Sequence, residues 1–220
     1  MGDKLMYKFN YAKMNRVLDD VKNKLTEENK ISDVIGLFGG SIFFFEEALN
    51  TAENLDDKMI TDYVNYFYRE LYDAATSTGD LMLVCSVSDI IIDNLNKKIG
   101  KKKSNPYFNL MIDILILNAI SLFQSGIVEG AKDYFTRATN LGEKYLNDSK
   151  VNYHDSLCCA INWLGYLSYQ EENYKDSLSH CERIMELYNS VKDEDGFYYN
   201  EYDPIDVESK IEEIKKILNS

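Results

Sequence analysis

Apolar residues recur at three- and four-residue steps along nearly the whole chain. At that period side chains fall on one face of an α-helix. Around residues 59–71, Met59, Ile60, Tyr63, Val64, Phe67, Tyr68 and Leu71 form a broad stripe, as an amphipathic helix lying on a core requires. Short polar breaks at 26–32, 54–57, 76–80, 100–106, 124–126, 147–152 and 171–173 divide the chain. They predict eight helices before residue 191, then a loop and a ninth helix. Two prolines and eleven glycines in 220 residues are too few for the turns of an all-β protein. The expected fold class is all-α, with enough chain to bury a sizeable core.

The breaks repeat. Thr78-Gly79-Asp80, Ser125-Gly126-Ile127 and Glu171-Glu172-Asn173 each divide a helix pair and stand about 46 residues apart; one further step back reaches Ser32-Asp33. Four stacked antiparallel helical hairpins follow, since a lone hairpin cannot cover its apolar face and must lie on its neighbour. The fourth carries Trp163-Leu164-Gly165-Tyr166, Tyr169, Asn173-Tyr174, Ser177-Leu178, Cys181, Ile184 and Leu187; the third carries Ala119, Leu122, Gly126, Ala131, Phe135, Ala138 and Leu141. This resembles the tetratricopeptide repeat. There, small residues stand at the eighth, twentieth and twenty-seventh places of a helix–turn–helix unit. Gly165, Ser177 and Ile184 take those places in the fourth hairpin, and Ala119, Ala131 and Ala138 in the third. The match covers roughly residues 110–190 and weakens before residue 100, where Tyr72, Val84 and Ile91 take the small places. The period also exceeds the usual repeat of about 34 residues, so a long-helix variant is expected. The pattern also resembles the long-helix repeats of the peptide-sensing domains of bacterial pheromone receptors.

The reading is one helical-repeat domain, an α-solenoid, over 1–220. Its hairpins fall at about 8–53, 57–98, 106–146 and 152–190. An acidic, aromatic loop follows at 191–203, then a capping helix at 204–219. Asp203-Pro204 offers an N-cap and a first-turn proline. Ile205, Val207, Ile211, Ile214, Ile217 and Leu218 give that helix an apolar face suited to closing the open end of the stack. Lys97–Lys103 is a basic connector in an otherwise acidic chain. The loop Asp193–Asp203 holds four aromatic residues and packs on the protein itself or meets a partner.

Charge narrows the partners. The net charge is −13, which repels nucleic-acid phosphates and anionic membrane surfaces and favours basic partners. No secretory leader and no apolar run long enough to span a bilayer are read. Four cysteines, Cys85, Cys158, Cys159 and Cys181, in a chain of this length do not make a disulfide framework. A cytoplasmic location is expected, with the cysteines as small buried hydrophobes.

No reaction centre is read. His154-Asp155-Ser156 holds the residue types of a nucleophilic relay, but neighbours on a helix point about 100° apart. His154 and Cys158 share a helical face, yet Cys181 on the next helix falls about 7 Å out of register with them. Gly36-Leu37-Phe38-Gly39-Gly40-Ser41 fits no phosphate-loop pattern. Gly36 and Gly40 instead allow close approach of another helix, within the chain or across a homodimer. Phe43-Phe44-Phe45 then predicts a helix buried nearly all round. Carboxylate pairs such as Asp19-Asp20, Glu46-Glu47 and Glu212-Glu213 fall at helix ends or on polar faces. The expectation is a protein that is not an enzyme and carries no cofactor or metal.

The resemblance implies a concave surface lined by the first helix of each hairpin and fitted to a protein or peptide. Carried over position by position, the lining is Cys159, Asn162, Tyr166, Tyr169 and Gln170 in the fourth hairpin. In the third it is Asp113, Ile116, Ile120, Phe123 and Gln124, and in the second Tyr66, Arg69, Asp73 and Thr76. Asn162 and Gln170 can each donate to and accept from a peptide backbone, and tyrosine gives rigid contact area. The family's carboxylate-binding version needs basic lining residues, and only Arg69 offers one. The leading expectation is a binding scaffold or adaptor. The alternatives are an acidic decoy that occupies a basic site on a partner protein, and a peptide-sensing regulatory domain. A second copy of the chain is also a candidate partner, through the Gly36/Gly40 helix or the open end of the stack.

Overall fold

The computed structural model describes residues 15–24, 31–50, 56–98, 106–146, 154–191 and 204–220. Every regular element among them is a helix, so the fold is all-α. Residues 15–24 form α1. The rest are α2 (Ile31–Asn50), α3 (Asp57–Thr76), α4 (Leu81–Lys98), α5 (Phe108–Gln124), α6 (Val128–Tyr145), α7 (His154–Gln170), α8 (Tyr174–Val191) and α9 (Pro204–Leu218). The aromatic loop at 193–203 with the Asp203 cap, residues 99–103 of the basic connector, and the start of the first hairpin at 8–14 lie outside the described residues. The chain divides into two compact units, Met1–Lys102 and Lys103–Ser220.

In the first unit, α3 starts where the Asp56 carboxylate accepts the Met59 backbone N–H at 2.8 Å, satisfying one of the orphan donors of a helix start. Asp80 does the same for α4, accepting from Met82 and Leu83 at 3.0 and 3.1 Å. The stripe foreseen on α3 is the core: Tyr63, Val64, Phe67, Tyr68 and Leu71 are buried. From α2, Phe45 stacks on Phe67 with ring centres 3.9 Å apart, and Phe38 and Ile42 bury beside it in sequence. Leu18 and Val21 of α1 are buried too, and Lys22 reaches Glu70 of α3 at 2.8 Å.

Two expectations for α2 are corrected. Phe43 and Phe44 are 65 % and 54 % exposed, so the helix is not buried all round. Three consecutive side chains spread over about 200° of a helix, and the covered stripe of Phe38, Ile42 and Phe45 takes only the last of them. Nor does a neighbouring helix close on Gly36 and Gly40 among the described residues. A Cβ built on either meets nothing within 4 Å.

In the second unit, α5 pairs with α6 and α7 with α8, while α6 lies against α7 and α8 against α9. The small positions are where the helices meet. Ala119, Ala131 and Ala138 are fully buried. A Cβ on Gly165 would stand 3.3 Å from that of His180, and the Ser177 hydroxyl donates to the Gly165 carbonyl at 2.9 Å. Between hairpins, α6 and α7 approach closely at Gly142, where an added Cβ would come within 2.7 Å of Leu157. Arg183 of α8 spans to α6, donating through Nε and an Nη to both oxygens of Glu143 at 2.8 and 2.7 Å. In the first unit, the equivalent places hold Tyr72, Val84 and Ile91, all buried. Their bulk accords with the smaller shared surface of α3 and α4 compared with α5 and α6. On α9, Val207 and Ile214 are buried, but Leu218 is 40 % exposed. The covered face is narrower than its apolar pattern predicts, and it lies mainly on α8.

The three described hairpin turns share one backbone device. Gly79, Gly126 and Glu172 hold φ at +70°, +78° and +59°, in the left-handed region that lets each helix end and the chain reverse. Glycine adopts it freely, whereas an L side chain there costs about 1–2 kcal/mol. Glu172→Gly should therefore raise unfolding stability by about 1 kcal/mol, read as a higher urea midpoint at unchanged slope. An unchanged or lower midpoint would refute strain at this turn.

Candidate functional site

Asn162, Tyr166, Tyr169 and Gln170 follow one another at steps of four, three and one on α7, so the helix aims them to one side. They are drawn together in a cleft of about 210 Å³. Gly165 and Ser177 belong to its wall, with His180, Cys181 and Ile184 of α8 and Lys210 of α9. The α8 residues sit at helical spacing on the face turned to α7, because the Ser177–Gly165 hydrogen bond fixes how the two helices meet.

The rim towards α9 is a polar knot. The Tyr169 hydroxyl donates to one oxygen of Glu213 at 2.5 Å, and Lys210 donates to the other at 2.8 Å. The Lys210 ammonium also lies 4.3 Å from the centre of the Tyr169 ring. Its bond to Glu213 and that from Tyr169 hold the Glu213 carboxyl below its ordinary range. Donation to that carboxylate pushes the Tyr169 hydroxyl up. On the wall, burial pushes the Cys181 thiol up and holds the His180 imidazole down, with Asp176 acting weakly the other way. At neutral pH the inner wall therefore carries a neutral imidazole and a protonated thiol.

Beside the cleft stands an aromatic group. Tyr166 is 46 % exposed. Its ring centre lies 5.9 Å from that of Trp163 and 6.1 Å from that of Phe123, both pairs nearly perpendicular. Trp163 is stacked at 5.3 Å on the buried Phe135. The platform is thus anchored in the core and rigid, the property that lets aromatic residues bind at low entropic cost.

Of the other foreseen lining residues, Ile116 is 8 % exposed and belongs to the core. Cys159, Asp113 and Ile120 are half-buried, and Gln124 is exposed at the turn. Tyr66, Arg69, Asp73 and Thr76 lie on α3 in the first unit. Arg69 is partly covered there, and Tyr66, Asp73 and Thr76 are exposed. Burial, helped by the Asp73 carboxylate, pushes the neighbouring Tyr72 hydroxyl up to about 12. The sequence reading did not place Trp163, His180 or Lys210 among the lining residues. Trp163 was legible as a lone tryptophan three residues before Tyr166. Lys210 was not, because no spacing rule joins α9 to α7.

The four cysteines form no disulfide. No group of three or more metal-ligating side chains occurs among the described residues, where His154 of the sequence-level pairing has no described side chain. No helix among them is long and apolar enough to cross a membrane.

No family model matches the chain, and no curated protein matches it. Among solved structures it is similar to the crystal structure of BtubC (BKLC) from P. vanneervenii. The identity is 16 %, the TM-score 0.45, and the match covers 97 % of this chain and 84 % of that one.

His180 gives the wall a pH signature. Its folded pKa lies below its unfolded value, so the unfolded chain binds the extra proton first and stability drops as pH falls below about 6.5. Urea midpoints for wild type and His180→Gln should converge towards high pH and separate below that point, the wild type falling faster. Parallel profiles would mean that His180 titrates as it does in the unfolded chain.

Proposed function

We propose that this chain is a protein- or peptide-binding module of tetratricopeptide-like hairpins, and that its ligand lies along the α7 face of the second unit. The observation that carries this is the cleft. Four residues chosen from the repeat pattern, Asn162, Tyr166, Tyr169 and Gln170, line one cavity of about 210 Å³. Two carboxamides spaced two helical turns apart suit the alternating donors and acceptors of an extended backbone. An exposed, core-anchored aromatic platform next to them suits a side chain. The left-handed turns at a constant interval and the small residues at Ala119, Ala131, Ala138, Gly165 and Ser177 support the tetratricopeptide-like reading.

In this reading the protein is a non-enzymatic, cytoplasmic scaffold or adaptor without cofactor or metal, and its partner is another protein, not nucleic acid or membrane. The excess of acid keeps one alternative in view, a decoy seated in a basic site of a partner protein. Residues 103–220 carry 20 acidic and 11 basic side chains. Ligand capture at low and high salt separates the two, because a contact between exposed charges fades once the Debye length shrinks to a few ångströms.

The double substitution Asn162→Ala/Tyr166→Ala should leave the helical circular dichroism signal unchanged and abolish capture of the partner at about 50 and about 300 mM salt. A partner still held by the double variant would remove the groove assignment. A partner lost from the wild type at the higher salt would favour the decoy.

A further inference from the structure

The cleft contains one cation already, and the way it is held indicates what else the face can take. The Lys210 ammonium rests over the Tyr169 ring at 4.3 Å and is met by the Glu213 carboxylate at 2.8 Å. A tyrosine face with a carboxylate beside it is a receptor for a lysine or arginine side chain. Three residues earlier on the same side of α7, Tyr166 presents a ring that is 46 % exposed. Phe123 and Trp163 buttress it from the side of α5 and α7. Asn162 and Gln170 bracket the two tyrosines along the helix and line the same cleft. The charge of Lys210 is answered by Glu213, and the unit around it has the acidic excess of 20 to 11. That field draws in a basic segment and repels an acidic one.

We propose that the α7–α9 cleft binds an extended protein segment bearing arginine or lysine. Its cation sits on the Tyr166 ring as Lys210 sits on Tyr169, and its backbone is read by Asn162 and Gln170. This rests on the peptide-binding reading above and adds the class of ligand.

The test uses the full chain and three fluorescein-labelled peptides of equal length with the same glycine–serine spacing. One carries arginine and lysine, one glutamate in their place and one glutamine. Fluorescence anisotropy should give binding of the basic peptide and none of the glutamate peptide. Tyr166→Leu should weaken the basic peptide by roughly fivefold or more, and Tyr166→Phe, which keeps an aromatic face, should restore it. Circular dichroism guards against misfolding, which the half-exposed position makes easy to avoid. Equal binding of the basic peptide to wild type and Tyr166→Leu would overturn the proposal, leaving only diffuse charge attraction. A glutamine peptide that binds as tightly as the basic one, and is weakened by the same substitution, would also overturn the ligand class while keeping the groove. If none of the three peptides binds, the ligand class falls, and partner capture by the Asn162/Tyr166 variants judges the groove on its own.

Discussion

The closeness of α7 to α8 is set by Gly165. No side chain intervenes there, the His180 Cβ would stand 3.3 Å from any that did, and the Ser177 hydroxyl fills the remaining gap with a bond to the Gly165 carbonyl. A buried hydroxyl is stable only with such a partner. The helical positions on either side follow from this one approach. Ser177, Cys181 and Ile184 turn inwards on α8, and Asn162, Tyr166 and Tyr169 turn along the rim on α7. The cleft is therefore a consequence of packing two helices closely at one point, and its rigidity is that of the core.

Two further ties hold the second unit around that point. The paired bonds from Arg183 to Glu143 join α8 to α6, and the fork geometry of guanidinium fixes direction as well as distance. Glu143 holds the Arg183 proton more firmly than usual, and the guanidinium stays charged at any ordinary pH. At the other side, Tyr169, Glu213 and Lys210 fasten α9. That knot is exposed, so water and salt weaken it, and the burial of Val207 and Ile214 does more to keep α9 in place.

Periodicity made the helices and turns legible, because each apolar stripe had to face a neighbour and each polar break had to be a reversal. The small residues of the third and fourth hairpins marked the contacts, and through them four members of the cleft. Ile116 escaped the reading because a place on the lining side of a helix does not say how far the next hairpin overlaps it. Phe43 and Phe44 escaped for the opposite reason: apolar character predicts a wish for cover, and only the packing of α2 reveals that the stripe through Phe38, Ile42 and Phe45 is the covered one. Lys210 was beyond reach, since its role arises from where α9 comes to rest, and no local pattern encodes that.

The left-handed residues at Gly79, Gly126 and Glu172 recur at one place in the three helix pairs whose turns are described, although the side chains around them differ. Backbone shape, more than side-chain identity, is what the pairs have in common. A chain built this way changes length most safely by whole pairs. Gain or loss of a segment of fewer residues would break the phase between a reversal and the stripe that follows it. Gain of an entire pair would leave every existing phase intact and add another rim of first-helix side chains, so the reach of that face and its chemistry could vary independently.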